Sequence, residues 1–257
     1  MNRRQLVLLG AAGLVPRAFA VTPPRRIGVL PGPHADIMAV VQRVAADRGL
    51  ALALAEREDG RGINADVAAG RLDAACFQDA VAFAAEHPAR LANIASTVTL
   101  PVAIYSRRVA SVRALRPGST IAIPRERPTL ARALVLLHNH GLVELRPGSG
   151  LVATLRDVTG NRFRFQLTPL PEADLATALT RVDAAVIARP CAARAGLLPA
   201  RDSIGLEDAR SPWAGVLAVR RADRDAGWVR TLVASYQSET VKRFVFEHYQ
   251  DSVRRPW

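Results

Sequence analysis

From Arg25 onward, short mainly apolar runs alternate with stretches whose apolar residues recur every three or four positions. Residues 27–30 form the first run, long enough for a buried parallel strand. Pro31-Gly32-Pro33 extends neither a strand nor a helix, so the chain must turn there. Ile37, Val40, Val41 and Val44 then share one face of a helix over 35–48. The pattern predicts further strands over 50–55, 72–77, 91–96 and 100–106. Helices are predicted over 64–70 and 78–86. This strand-helix alternation implies a largely parallel sheet with right-handed crossovers. It also sets helix starts at the carboxyl ends of strands, where open α/β sheets take small ligands.

A second series follows position 105. Strands are predicted over 120–123, 162–168, 182–187 and 216–219. Helices are predicted over 129–140, stopped by Gly141, and over 171–179. Two helices close the chain, the second opened by Ser238 as N-cap, with Val241, Phe244, Val245 and His248 on one face. The expected organisation is an α/β chain of two lobes. Residues 21–105 with 214–257 make the first lobe and 106–213 the second. No flexible linker separates them, so strands should serve as the hinge and the gap between lobes as the site.

The 257 residues are 49% hydrophobic, which excludes disorder, and the formal charge is +12. Nucleic acid is not the expected partner. Lys242 is the only lysine, the arginines are scattered in ones and twos, and aromatics are 5%. The first residues read as an export leader. Asn2-Arg3-Arg4 is basic, 6–15 is apolar and Ala18-Phe19-Ala20 is a small-x-small cleavage site. Cleavage after Ala20 lowers the charge from +12 to +9. No cysteine lies near that site for lipid attachment, so the expected product is exported, soluble and not lipid-anchored. Cys76 and Cys191 both sit in apolar segments, as free thiols or a bridged pair. No metal or cofactor is expected, because neither cysteine has a second ligand at metal spacing.

Gly28 to Met38 resembles the opening of the mature methionine-binding lipoproteins, the MetQ/NlpA family of ABC-transporter binding proteins. Gly70-Arg71-Leu72-Asp73-Ala74, Phe77-Gln78, Ile121-Ala122-Ile123-Pro124 and Arg132-Ala133-Leu134 are similar pieces in the family's order. Asp183-Ala184-Ala185-Val186-Ile187, Ser211-Pro212 and Val241-Lys242-Arg243-Phe244 continue the series. The resemblance implies a two-lobed periplasmic-binding-protein fold of type 2, each lobe a mixed, largely parallel sheet flanked by helices. It implies a monomer that captures a small amino acid and docks on ABC permease subunits at the inner membrane. It implies no enzyme activity. The departures fall on the family's ligand positions. Gly60 replaces an aromatic, Ala75-Cys76 an Asn-Phe pair, and Asp79 a histidine. Ala188-Arg189-Pro190-Cys191 replaces Asn-Gly-Asn-Tyr, and Gly215 an asparagine. Each lost ligand wall or polar partner costs about 1–3 kcal/mol, so the ligand does not transfer with the fold.

Arg132 is the leading ligand-binding candidate. It is placed in the first turn of the 129–140 helix, opposite Leu130, Leu134 and Leu137, where a guanidinium would hold a carboxylate bidentately. The matching family arginine does this for an amino-acid carboxylate. Asp79 either accepts a ligand ammonium or caps a helix. Cys76 and Cys191 line the cleft, bridge the lobes, or ligate a soft metal with Asp79. Trp213 walls the cleft or packs at the hinge. His34 caps its helix, lies on the surface, or touches ligand. The rival to a transport role is a sensor or lost-function paralogue. A thiol hydrolase would need a base beside a cysteine, and no histidine lies in such a motif.

Overall fold

Residues 25–36 set the pattern for the whole molecule. Strand β1 (Arg25–Val29) buries Ile27 and Val29, and Gly32 turns the chain at φ +81°. Pro33 then opens helix α1 (Pro33–Asp47), where its missing N–H is no loss. The structure, a computed structural model, describes residues 23–86 and 89–257. The expected leader and His87 lie outside the described residues.

The first sheet adds β2 (Leu52–Glu56), β3 (Ala74–Cys76) and β4 (Leu91–Ser96). Between them run α2 (Ile63–Ala68) and α3 (Ala80–Ala85). The chain then crosses into the second sheet, built from β5 (Val102–Tyr105), β6 (Thr120–Pro124), β9 (Gln166–Leu170), β10 (Ala184–Ala188) and β11 (Ser203–Leu206). Its helices are α4 (Arg127–Asn139), α5 (Leu175–Ala178), α6 (Arg189–Arg194) and α7 (Pro199–Asp202). A small hairpin of β7 (Glu144–Leu145) and β8 (Val158–Gly160) sits beside α4. The chain returns as β12 (Val216–Arg220) and ends in α8 (Gly227–Tyr236) and α9 (Glu239–Tyr249).

The strand orders are β2-β1-β3-β12-β4 and β11-β5-β10-β6-β9. In the first, β1 runs parallel to β2 and β3, while β12 is antiparallel to β3 and β4. In the second, β6 is parallel to β9 and β10, while β5 is antiparallel to β10 and β11. The two sheets repeat one plan, each with its returning strands at one side.

Both sheets are covered on both faces, as parallel strands require. Ala74, Cys76, Leu217 and Val219 face α1, α8 and α9, while Ala75 and Ala218 face α2. Val102, Ile104, Ile121 and Ile123 pack against α4, and Ala103, Tyr105, Ala122 and Ile187 face the α5 side. The period of two along each strand therefore decides which core a side chain joins. Each fully buried Val, Leu or Ile contributes about 1.5–3 kcal/mol against its exposed state.

Three expectations need correction. The strand Val102–Tyr105, assigned above to the first lobe, pairs in the second sheet. The strand predicted over 162–168 begins only at Gln166, although Phe163 and Phe165 alternate correctly. Asn161 closes a turn there, accepting from the Phe165 N–H and donating to its carbonyl, both at 2.9 Å, with Arg164 at φ 55°. Helix α4 starts at Arg127, so Arg132 falls in its second turn.

The two crossings between sheets, 97–101 and 207–215, are tied to each other. Thr97 N–H donates to Gly215 O at 2.7 Å, and Gly215 N–H to Val98 O at 3.0 Å. Thr99 exchanges backbone bonds with Arg254 at 2.7 and 2.9 Å and donates its hydroxyl to Ala209 O at 2.7 Å. Thr97 and Thr99 are fully buried. The connection is thus a short piece of extended, hydrogen-bonded backbone.

Candidate functional site

Two cavities meet between the sheets. The inner chamber, of about 290 Å³, takes His34, Gln78 and Gly215 from the first lobe's side and Glu172, Ala188 and Arg189 from the second's. The outer cavity, of about 540 Å³, is walled mainly by Val81, Ala82, Ala85, Pro128, Leu151 and Val152. Asp79, Ala82, Thr129, Arg132 and Trp213 belong to both and form the throat. A further indentation of about 380 Å³, beside Leu91 and Arg224, touches the first lobe alone.

Arg132 does reach the cleft, but its guanidinium is already engaged. Nε donates to Glu207 Oε1 at 2.9 Å and Nη2 to Glu207 Oε2 at 2.5 Å. Nη2 also donates to Leu100 O at 2.9 Å, and the guanidinium carbon lies 5.5 Å from the Trp213 ring centre. The side chains of Arg132 and Glu207 are only 13% and 6% exposed. Glu207 Oε2 also accepts the Val102 N–H at 3.1 Å. Leu100 lies in one crossing and Glu207 in the other. Arg132 therefore ties α4 to both connections, and Glu207 takes the bidentate position expected for a ligand carboxylate.

Asp79 is the N-cap of α3, accepting the Ala82 N–H at 2.8 Å. Burial raises its carboxyl above the ordinary range, against the lowering effect of that N–H and of Arg132. Both roles weighed for it are compatible with this position, because one carboxylate oxygen caps the helix while the residue lines the throat.

His34 is neither exposed nor a cap. It is 6% exposed, lines the inner chamber, and its Nδ1 has no partner among the described residues. Burial, then the charge of Arg189, lowers its pKa to about 4. The imidazole is therefore neutral at ordinary pH. Trp213 is also buried and combines the two readings given above, forming the throat wall while stacking over Arg132 beside the crossings.

The cysteines are both free and both buried, so the bridged reading is corrected. Cys76 lies in the first core, outside both cavities, and burial pushes its thiol up to about 12. Cys191 sits behind the chamber wall, where Arg194 Nη2 donates to its sulfur at 3.0 Å and its thiol faces Glu172 Oε2 at 3.8 Å. Burial raises its pKa as well.

Two charged residues of the chamber lining were not among the candidates. Glu172 accepts from the Thr129 hydroxyl at 2.5 Å. Arg189 begins α6 and donates Nε to Ser252 O at 3.2 Å, with its guanidinium 5.7 Å from the Tyr249 ring centre. Arg189 had a signal in the sequence. It lies two positions past the predicted strand 182–187, at the carboxyl end of a parallel strand, where ligand groups gather. Glu172 and Glu207 had none, since their partners lie 43 and 75 residues away.

Two mixed α/β lobes, joined by paired extended crossings and closed around a charged chamber, define a periplasmic-type substrate-binding protein. A Coxiella burnetii ABC-transporter periplasmic substrate-binding protein shares the fold with a TM-score of 0.72 and 30% identity, over 90% of this chain and 99% of that one. The chain belongs to the NlpA lipoprotein family, whose profile matches residues 26–257. The Escherichia coli K12 D-methionine-binding lipoprotein MetQ is 31% identical over 90% of this chain and 88% of its own length. A Burkholderia cenocepacia nutrient-binding protein, solved bound to methionine, is 33% identical with a TM-score of 0.72, covering 91% and 100% of the two chains.

Two glycines of the lobe and crossing region leave no room for a side chain. At Gly60 an added Cβ would lie 2.5 Å from Phe77 Cε2, so the Phe77 ring occupies the space beside it. At Gly215 a Cβ would lie 2.4 Å from Thr97 Oγ1 and 2.7 Å from Val98 O. The backbone of the crossing closes over that position.

Proposed function

We propose that this chain is an exported solute-binding protein that captures a small amino acid or related carboxylate and delivers it to an ABC importer. The observation that carries the reading is the inner chamber, built from both lobes and lined by charged groups of both signs. A solute there contacts both halves at once, so binding favours their closed arrangement. The relatives' binding of methionine and their role in ABC transport support the same class of solute. The partners are then permease subunits, with the chain acting as a monomer.

Calorimetric titration of the purified chain with L-methionine, D-methionine and the other common amino acids tests this, together with mass spectrometry of solute released on unfolding. Saturable binding or a released amino acid is expected. A second reading, a sensor or a paralogue that has lost transport, is favoured by the occupied guanidinium of Arg132 and the filled space at Gly60. An empty cleft that binds none of these compounds would select it.

A further inference from the structure

The chamber holds two guanidinium groups in opposite circumstances. Arg132 is neutralised by Glu207, and a solute carboxylate approaching it would meet that fixed negative charge. Arg189 forms no ion pair among the described residues, and its side-chain hydrogen bond is made through Nε alone, leaving Nη1 and Nη2 without hydrogen-bond partners there. It is half-buried in the chamber wall. Burial lowers its pKa, against the raising effect of Tyr249, Tyr105 and the Asp36 carboxylate. His34, nine-tenths buried in the same chamber, keeps an unpartnered Nδ1 and adds no positive charge. The remaining ionic group of the chamber is Glu172, beside Asp79 of the throat. Thr129 donates to Glu172 Oε1, while Oε2 has only the weak thiol contact of Cys191.

We propose that Arg189 holds the carboxylate of the solute and that Glu172 receives its ammonium group, with the apolar remainder passing Trp213 into the outer cavity. The assignment rests on the solute-binding reading above and gives it a substrate class: zwitterions with an apolar tail. The fork of Nη1 and Nη2 suits a carboxylate, which accepts two parallel N–H bonds. The outer cavity suits the tail, because Val81, Ala82, Ala85, Leu151 and Val152 present little to hydrogen-bond. Arg189 is rooted in the second lobe and bonded to Ser252, which follows α9 of the first. A carboxylate on Nη1 and Nη2 therefore strengthens a contact made only when the halves are together. The plainer role for Arg189, a latch between α6 and the C-terminal turn, would be indifferent to the solute's charge.

The experiment titrates the full chain and Arg189→Gln with L-methionine, L-leucine and L-methioninamide, the last lacking the carboxylate. Circular dichroism checks the fold of the variant. The unmutated chain should bind the two acids roughly tenfold to a hundredfold tighter than the amide, the range of a charge-assisted contact. Arg189→Gln should lose affinity for the acids by a similar factor and bind acid and amide alike. Acids bound no tighter than the amide by the unmutated chain would overturn the assignment, whatever the variant does. So would acid binding by Arg189→Gln at full strength. If the unmutated chain binds none of the three, the assignment falls. An unrelated solute recovered by mass spectrometry would then leave the solute-binding reading standing, and an empty cleft would remove both.

Discussion

Arg132 and Glu207 meet in a buried two-point ion pair, Nε to Oε1 at 2.9 Å and Nη2 to Oε2 at 2.5 Å. The pair fixes α4 to the backbone that joins the lobes, so its first effect is on stability. Removing one partner leaves the other charge buried and alone. Arg132→Ala should destabilise the chain by about 3–5 kcal/mol. The double substitution Arg132→Met with Glu207→Leu, which removes both charges, should recover most of that loss. Urea unfolding of the single and double variants measures the difference. A double variant no more stable than Arg132→Ala would refute the account. Loss of ligand binding in Arg132→Ala alone would not identify a ligand contact.

His34 predicts an acid-sensitive fold. Its imidazole takes up a proton near 6.5 in the unfolded chain and only at about 4 when folded. Between these values the unfolded state binds more protons, so stability falls as pH falls, by about 1.4 kcal/mol per unit. The contribution is intact above 6.5, and roughly 3 kcal/mol is lost by pH 4. Asp79 acts in the opposite sense, because burial raises its pKa. The difference between the chain and His34→Gln, followed by thermal unfolding from pH 7 to 4, isolates the histidine. Parallel curves would contradict the assignment.

Restoring single family residues should not restore a family pocket. Gly215→Asn sets a Cβ against Val98 O, a backbone atom that moves only with the crossing. Overpacking of this kind costs about 1–3 kcal/mol. Gly60→Tyr meets the Phe77 ring instead, and Phe77→Ala should relieve it in the double variant. Melting temperatures should fall for both single variants and rise again only for Gly60→Tyr with Phe77→Ala. An undisturbed Gly215→Asn would show that the crossing is freer than its hydrogen bonds imply.

Neither cysteine should behave as a reactive thiol. The raised pKa values follow from burial, and thiolate is the reacting form. A chromogenic disulfide reagent at pH 8 should label neither sulfur appreciably in the native chain and both after unfolding. Rapid native labelling of Cys191 would place it on an open surface of the cleft.

Much of this architecture was readable before any coordinates. Runs such as 27–30 and 184–187 are apolar because both faces of their sheets are covered, and Pro31-Gly32-Pro33 marks its turn without ambiguity. The element boundaries that moved did so through side chains acting on backbone, as with Asn161 at the turn before β9. The throat residues Asp79, Arg132 and Trp213 were named from position and resemblance. What position could not convey was the state of their atoms. Glu207 lies 75 residues from Arg132, and no local pattern announces that the two share a salt bridge. Cys76 misled because its short strand carries a core on each face, Ala75 towards α2 and Cys76 towards α1, α8 and α9. Arg189 was visible as a departure, yet its want of an ion pair among the described residues shows only in three dimensions.

Strand β12 lies between β3 and β4, and it comes from the far end of the chain. The N-terminal half therefore cannot complete its own sheet. Until residues 216–220 arrive, β3 and β4 have no neighbour to join them, and the connecting backbone through Thr97 lacks Gly215 to bond with. A polypeptide built this way stays threadable while it is being made and locks only when its last fifth is free.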